Sequence, residues 1–335
     1  MLYVSTRNRT DSYTAHRALH DICAPDDGMF VPFQLPIISD EELRFFHSRT
    51  FSENIAYILN LFFSVNLPAW DVEVCIGKYP IELVALPRKL MVAECWHSLS
   101  SEYTRMENAL YSRLCGQSVV KPATEWAKIA IRIAFLFAIY GELEPSFCRK
   151  SYDLSVHDNC FTTPMAAWYA RRMGLPIGRI ICANYENSDT WDLLHRGDLD
   201  CDSNTLRASG LECLIYMTLG PEETVRFINA CYNGESYLVD DEKLPLLNEG
   251  LFSAVVSKER VQSTINNIYR SSDYITDTVA AISYSALQDY RARTGEGSQT
   301  LILSLENPAN HARELARVLG LSAADIEKKV SCRKG

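Results

Sequence analysis

A chain of 335 residues, 47% hydrophobic and 22% charged, holds enough apolar material for one large or two modest cored domains and reads as an ordinary soluble globular protein. A net charge of −9 without any basic stripe argues against nucleic acid as a partner, because affinity for a phosphate backbone rests on clustered Lys and Arg. The polar start MLYVSTRNRTDSY, and the lack of any run near the roughly 18 apolar residues that span a bilayer, argue against a signal peptide and a membrane partner, so a cytoplasmic location is expected.

In chain order, SYTAHRALHDIC (12–23) predicts a short helix, and APDDGMFVP, with its Asp-Gly, predicts a turn into an extended segment. Residues 40–63 are predicted mostly helical, opened by Ser39 or Asp40 as N-cap with Glu42 nearby. From Asp71 to Trp96 the pieces VEVCI, IELVAL and KLMVAECW alternate or run apolar, which predicts strands joined by turns at Lys78-Tyr79-Pro80 and Pro87-Arg88. Helix is predicted again over 101–114. EWAKIAIRIAFLFAIY (125–140) is apolar around most of its circumference, interrupted by Lys128 and Arg132 on one face, and predicts a core helix too short to cross a membrane. YDLSV, RIICANY and LILSL are candidate buried strands, interspersed with helical patterns that include 221–232, 257–270, 278–293 and 309–319, and RTGEGSQ predicts a loop before the last strand. Strand and helix alternating in this way predict an α/β fold, an open and mostly parallel sheet flanked by helices.

The 11 cysteines include no CxxC pair, so they are expected to be mostly reduced, small buried residues and not a disulfide framework. Cys95 with His97, and His157 with Cys160, have spacings open to a zinc site or a thiol–imidazole pair, and His16 and His20 lie four apart on the first helix. No second ligand pair follows at a usual spacing, so no metal is expected.

The stretch NCFTTPMAAWYARRMGLPIGRIICA (159–183) resembles the signature of threonine synthases, a pyridoxal-phosphate (PLP) family of fold type II within the tryptophan synthase β-like superfamily. Further segments resemble the same family in the right order. YVSTR and APDDGMFVP resemble its opening strand and APDGGL(Y/F)VP turn, and PIELVALPRKLMVAECWHS resembles the strands before its lysine motif, ELFHGPTLAFKD. EWAKIAIRIAFLFAIY resembles its INWARI helix, SNTLRAS its TLSPS, and LILSLENPAN its LATAHPAKF.

Against that family, the polar site positions have changed. The catalytic lysine forms the Schiff base with PLP. Aligning His97 with the motif's histidine puts Thr104 at the lysine and Arg105 at the next aspartate; Lys89 and Lys121 fall outside the motif, and Lys128 belongs to the next phrase. The phosphate turn TGNFG aligns with Asp158, Asn159, Cys160, Phe161 and Thr162, so both glycines are gone. An ordinary strand-to-helix turn, with Thr162 or Thr163 as N-cap and Pro164 at the first helical position, is the plain reading of that stretch. The smaller lid domain that the family carries between its lysine helix and INWARI helix is reduced to CGQSVVKPAT, residues 115–124. Arg207, Ala208 and Leu211 replace polar or turn residues of TLSPSMD, and Asn307 and Asn310 replace the histidine and lysine of TAHPAKF.

The resemblance therefore implies the large-domain fold of threonine synthase with the lid deleted: an N-terminal segment over 1–95 packed on a core over 96–335, with loop 115–124 in place of the small domain. It implies no covalent PLP and no catalytic residue, and hence a pseudoenzyme with a binding, assembly or regulatory role. The alternative is a repurposed enzyme working without PLP in the opened cleft, where His97, His157, Asp158 and Cys160, with Arg207 and Asn307, would converge. A third reading, a lyase acting on O-phosphohomoserine, needs a lysine and a phosphate site that the sequence does not offer. Surface left by the missing domain predicts a homodimer or a complex with another protein, with residues 221–270 the first place to look.

Overall fold

The computed structural model describes residues 1–335 except 98–102, 118–119, 121, 149, 158–159, 186–187, 202–208 and 333–335. The chain opens with a small antiparallel sheet of order β2-β1-β3, formed by β1 (Leu2–Ser5), β2 (Tyr13–Thr14) and β3 (Phe30–Pro32). Because Tyr13 and Thr14 pair with β1, the first helix is confined to Ala15–His20, shorter than the 12–23 predicted. The 40–63 region divides into helices Asp40–Phe46 and Phe51–Phe63, each started by a capping box in which Ser39 pairs with Glu42 and Thr50 with Glu53.

VEVCI is a correction: it lies in a helix, Ala69–Ile76, between Pro68 and Gly77. As a strand it would put Val72, Val74 and Ile76 on one face. Instead Val72 and Ile76, four apart, are fully buried while Val74 is 68% exposed.

Next come β4 (Glu82–Leu86) and β5 (Leu90–Glu94), then β6 (Tyr152–His157), β7 (Ile177–Tyr185), β8 (Asp198–Asp200), β9 (Ser236–Leu238), β10 (Leu251–Val256) and β11 (Thr300–Ser304). β8 and β9 form a separate antiparallel ribbon, and the other six make the central sheet in the order β10-β7-β6-β11-β5-β4. All neighbours in it are parallel except β4 and β5. The sheet is thus open and mostly parallel as predicted, with β10 and the β8–β9 ribbon additional to the predicted strands.

Alternation along the strands divides the core. Ile180 and Cys182 of β7, with Leu301 and Leu303 of β11, join a cluster with Phe62, Trp126 and Tyr169. Ile181, Ala183 and Ile302 point the other way, into a cluster with Ile265, Ile282 and Ile326. Side chains of period two therefore bury both faces of the sheet, and the strands read as continuous apolar runs. The helix Glu125–Glu142 lies in the first layer between Phe51–Phe63 and Thr162–Met173, which explains its all-round hydrophobicity. Tyr3, Phe30 and Phe46 belong to that same cluster, and β5 is hydrogen-bonded to β11, so residues on both sides of position 95 share one core and one sheet.

Between helix Tyr103–Leu114 and helix Glu125–Glu142 the described residues hold no further strand or helix. The short connection is tied down by Asn108, whose Oδ1 accepts from the Ala123 N–H at 3.1 Å. Gly174, in the MGLPIG phrase, has φ +124°, and a Cβ there would lie 2.4 Å from the carbonyl oxygen of Ile38. The Ile38 N–H donates to Met173 O at 2.7 Å, so the N-terminal segment docks directly on this helix end and only glycine fits. No helix among the described residues is long and apolar enough to cross a membrane.

Candidate functional site

A cleft of about 530 Å³ opens at the carboxyl ends of β6 and β11, the end of a parallel sheet where α/β proteins build sites. Thr104, near the start of helix Tyr103–Leu114, lines it beside Tyr103. His157, the last residue of β6, and Thr163, in the first turn of helix Thr162–Met173, form the facing wall. Leu305 and Glu306 follow β11, and Asn310 and His311 come from the 3₁₀ turn Pro308–His311.

Arg132 reaches the cleft from the middle of helix Glu125–Glu142. Its Nε donates to Glu107 Oε1 at 2.8 Å, Nη2 to Oε2 at 3.4 Å, and Nη1 to Thr163 Oγ1 at 2.7 Å. Burial works against the guanidinium charge, yet the Glu107 carboxylate outweighs it and the pKa is raised. Each guanidinium nitrogen has a partner, so Arg132 is a fixed wall of the cleft. His157 Nδ1 lies 3.0 Å from the Ala183 carbonyl oxygen, so Nδ1 carries a proton and donates to it. His311 Nε2 is 3.1 Å from Glu306 Oε2 on the far rim. Burial pushes the Tyr103 hydroxyl well above its ordinary range, so it stays neutral.

The turn ahead of helix Thr162–Met173 departs from the sequence expectation. Phe161, not a threonine, is the N-cap, and it makes no side-chain cap. Thr162 is the first helical residue, and the Thr163 hydroxyl accepts from Arg132. Cys160 and Phe161 both adopt left-handed backbone, at φ +53° and +56°. Such a conformation is costly for residues with side chains, and the packing around Phe161 enforces it. Phe161 is fully buried, and helix Ser209–Leu219 presses Gly210 so close that a Cβ there would lie 2.5 Å from the Phe161 carbonyl oxygen.

The sequence candidates are only partly brought together. Thr104 and His157 line the cleft. Cys160 is exposed and is not among its described lining residues. Asn307 is not among them either; its Oδ1 accepts from the Ala309 N–H at 2.9 Å and caps the 3₁₀ turn. His97 is likewise elsewhere: beyond β5 the chain buries Cys95 and Trp96 and sends the imidazole toward β4, with Nε2 2.8 Å from Glu94 Oε2. Cys95 is wholly buried and its Sγ donates to the Ala93 carbonyl, so the CxH spacing forms no thiol–imidazole pair. The rings of His16 and His20 lie 4.2 Å apart on the first helix. Asp158, Asn159 and Arg207 lie outside the described residues. Sequence reasoning missed Glu306 and His311 as site residues, and took Arg132 for a polar interruption; the run ENPANH, dense in polar groups after an apolar strand, was the available signal.

A family model described as "Threonine synthase N terminus" matches residues 2–79. Threonine synthase of Pseudomonas aeruginosa is 28% identical over 181 residues, 50% of this chain and 37% of that protein. Threonine synthase of Saccharomyces cerevisiae is 27% identical over 234 residues, 61% of this chain and 45% of that protein. The matches thus span less than half the length of either curated relative. Among solved structures, the PLP-bound threonine synthase from Brucella melitensis and the yeast enzyme each superpose with a TM-score of 0.81, at 15% and 16% identity, over 99% of this chain and 94% of theirs. At that identity the structures speak for the fold. Taken together, the N-terminal match and the two relatives make the chain similar in sequence to threonine synthases over part of its length, and it shares their fold.

Proposed function

We propose that this protein is a threonine-synthase-like pseudoenzyme, a binding or regulatory protein that uses such a cleft without the family's chemistry. The observation that carries the reading is Thr104, a hydroxyl on the cleft wall at the position where the family resemblance calls for the Schiff-base lysine. No lysine is found among the described lining residues. An imine needs an amine, and a threonine hydroxyl cannot supply one.

PLP does not fit the residues present. Beyond the missing amine, a phosphate cradle needs backbone N–H groups that an anion can approach closely. Here the aligned turn carries the side chains of Cys160, Phe161 and Thr162, and Phe161 is packed in the core. What the cleft offers instead is a fixed Arg132–Glu107 pair, the Thr104 hydroxyl and the His157 imidazole, which suit reversible binding of a small polar molecule.

The decisive measurement is the absorbance spectrum with added PLP, before and after borohydride reduction, with the mass of any modified peptide. No visible aldimine band and no adduct on a cleft peptide are expected; a trapped adduct there overturns the reading. The alternative, PLP-independent catalysis, gains from the two histidines at the cleft, His157 and His311, but Cys160 and His97 are absent from its described lining. That reading requires a measurable turnover that falls when His157 is replaced by Gln.

A further inference from the structure

We propose that Glu82, Glu94 and His97 form a binding site for a first-row divalent cation such as zinc, at the outer edge of the sheet and separate from the cleft. Glu82 and Glu94 are directly opposite one another in the antiparallel pairing of β4 and β5. Like charges in that arrangement repel, so a cation between them is favoured. Three residues further on, the chain returns the His97 imidazole to the same point. Its Nε2 lies 2.8 Å from Glu94 Oε2 and 3.6 Å from Glu82 Oε2, and one donor atom from each residue lies within 4.8 Å of the others. Zinc bonds to imidazole nitrogen and carboxylate oxygen of about 2.0–2.2 Å place tetrahedral donors about 3.3 Å apart, a separation that the two observed distances bracket.

The surroundings are those of a supported site. Glu94 is 1% exposed, and its second oxygen accepts from the Tyr274 hydroxyl at 2.7 Å, which directs Oε2 toward His97. The Trp96 ring stacks on His97 with centroids 4.0 Å apart and fixes the plane of the imidazole. Outer groups that orient the donors in this manner are a general feature of metal centres. Glu82, by contrast, has a half-exposed side chain, so the site opens to solvent on one side and leaves coordination positions for water. One nitrogen and two carboxylate oxygens, with no thiolate, suit zinc or manganese better than calcium, which takes oxygen donors alone. Bound there, the ion clasps edge strand β4 to the end of β5.

The full chain, stripped with chelator and moved to metal-free buffer, is titrated with zinc by calorimetry and with cobalt(II) as a spectroscopic stand-in. One ion per chain is expected, with weak visible cobalt bands and no thiolate charge transfer. Glu82→Gln, at a half-exposed position that leaves the core untouched, should weaken binding by at least the roughly tenfold that even an outer-sphere change costs. His97→Gln should abolish it, and a His16→Gln, His20→Gln double variant should bind as the parent does. Affinity unchanged in Glu82→Gln, thiolate bands with cobalt, loss of binding in the His16/His20 variant, or no response at submillimolar zinc would each overturn the proposal.

Discussion

A buried ion pair and a buried carboxyl show how single residues set this protein's stability. Arg132 and Glu107 compensate each other inside the first core layer. Replacing Arg132 with Met strands the Glu107 carboxylate, and the loss should be about 3–5 kcal/mol in urea unfolding. Adding Glu107→Gln to that variant should recover part of it. Asp277, the N-cap of helix Thr278–Thr294, is 1% exposed, and burial pushes its carboxyl up to about 6 from the ordinary 3.8 despite hydrogen bonds from Ser304 and the Ala280 N–H. The native state therefore holds this proton more tightly than the unfolded chain does. The group's contribution to stability falls as pH rises from about 4 to about 6, then levels off. Asp277→Asn, which keeps the capping oxygen, should remove that slope and gain on the parent by at most about 3 kcal/mol across the window. Parallel urea titrations at the two ends of the window measure it. At this scale a motif and a count of positions singled out Thr104, which lines the cleft. The surroundings of His97 were not, because they depend on the register that sets Glu82 opposite Glu94. Arg132 looked like a surface break in an apolar helix because its partner lies on another helix.

Among the elements, the turn before helix Thr162–Met173 separates backbone strain from side-chain packing. Cys160 and Phe161 share nearly the same left-handed backbone, but Cys160 is exposed and Phe161 is core. Cys160→Gly should relieve strain and stabilise by about 1 kcal/mol. Phe161→Gly relieves the same strain but empties a packed position, and should cost about 3–5 kcal/mol. Thermal unfolding of the two variants should thus shift in opposite directions; a shift in the same direction would mean that the turn is not held by packing. Most elements were readable from apolar period and caps. VEVCI was not, because five residues with alternate valines satisfy a strand pattern and one helical turn equally, and Pro68 and Gly77 decided for the helix. β10 escaped because LFSAVV sits between a turn glycine, Gly250 at φ +79°, and the Ser257 cap, where it reads as the lead-in to the next helix.

For the molecule as a whole, exposed apolar side chains bear on assembly. Tyr232, Leu238 and Leu246 stand 62%, 59% and 56% exposed within the 221–270 stretch. A homodimer through this region should give twice 37.9 kDa by light scattering. Leu238→Glu with Leu246→Glu should return it to one copy; a parent chain that is already a monomer removes the expectation. The large-scale architecture was the most legible part, since a parallel sheet buried on both sides leaves long apolar runs. Its strand order was not, and that order has a consequence for biosynthesis. β11, the latest of the six sheet strands to leave the ribosome, is the one that joins β6 to β5. Until residues 300–304 emerge, the nascent chain holds two half-sheets with facing unpaired edges. Closure of the sheet must therefore wait for residues 300–304, and a premature stop before Thr300 would leave an open seam suited to chaperone capture or degradation.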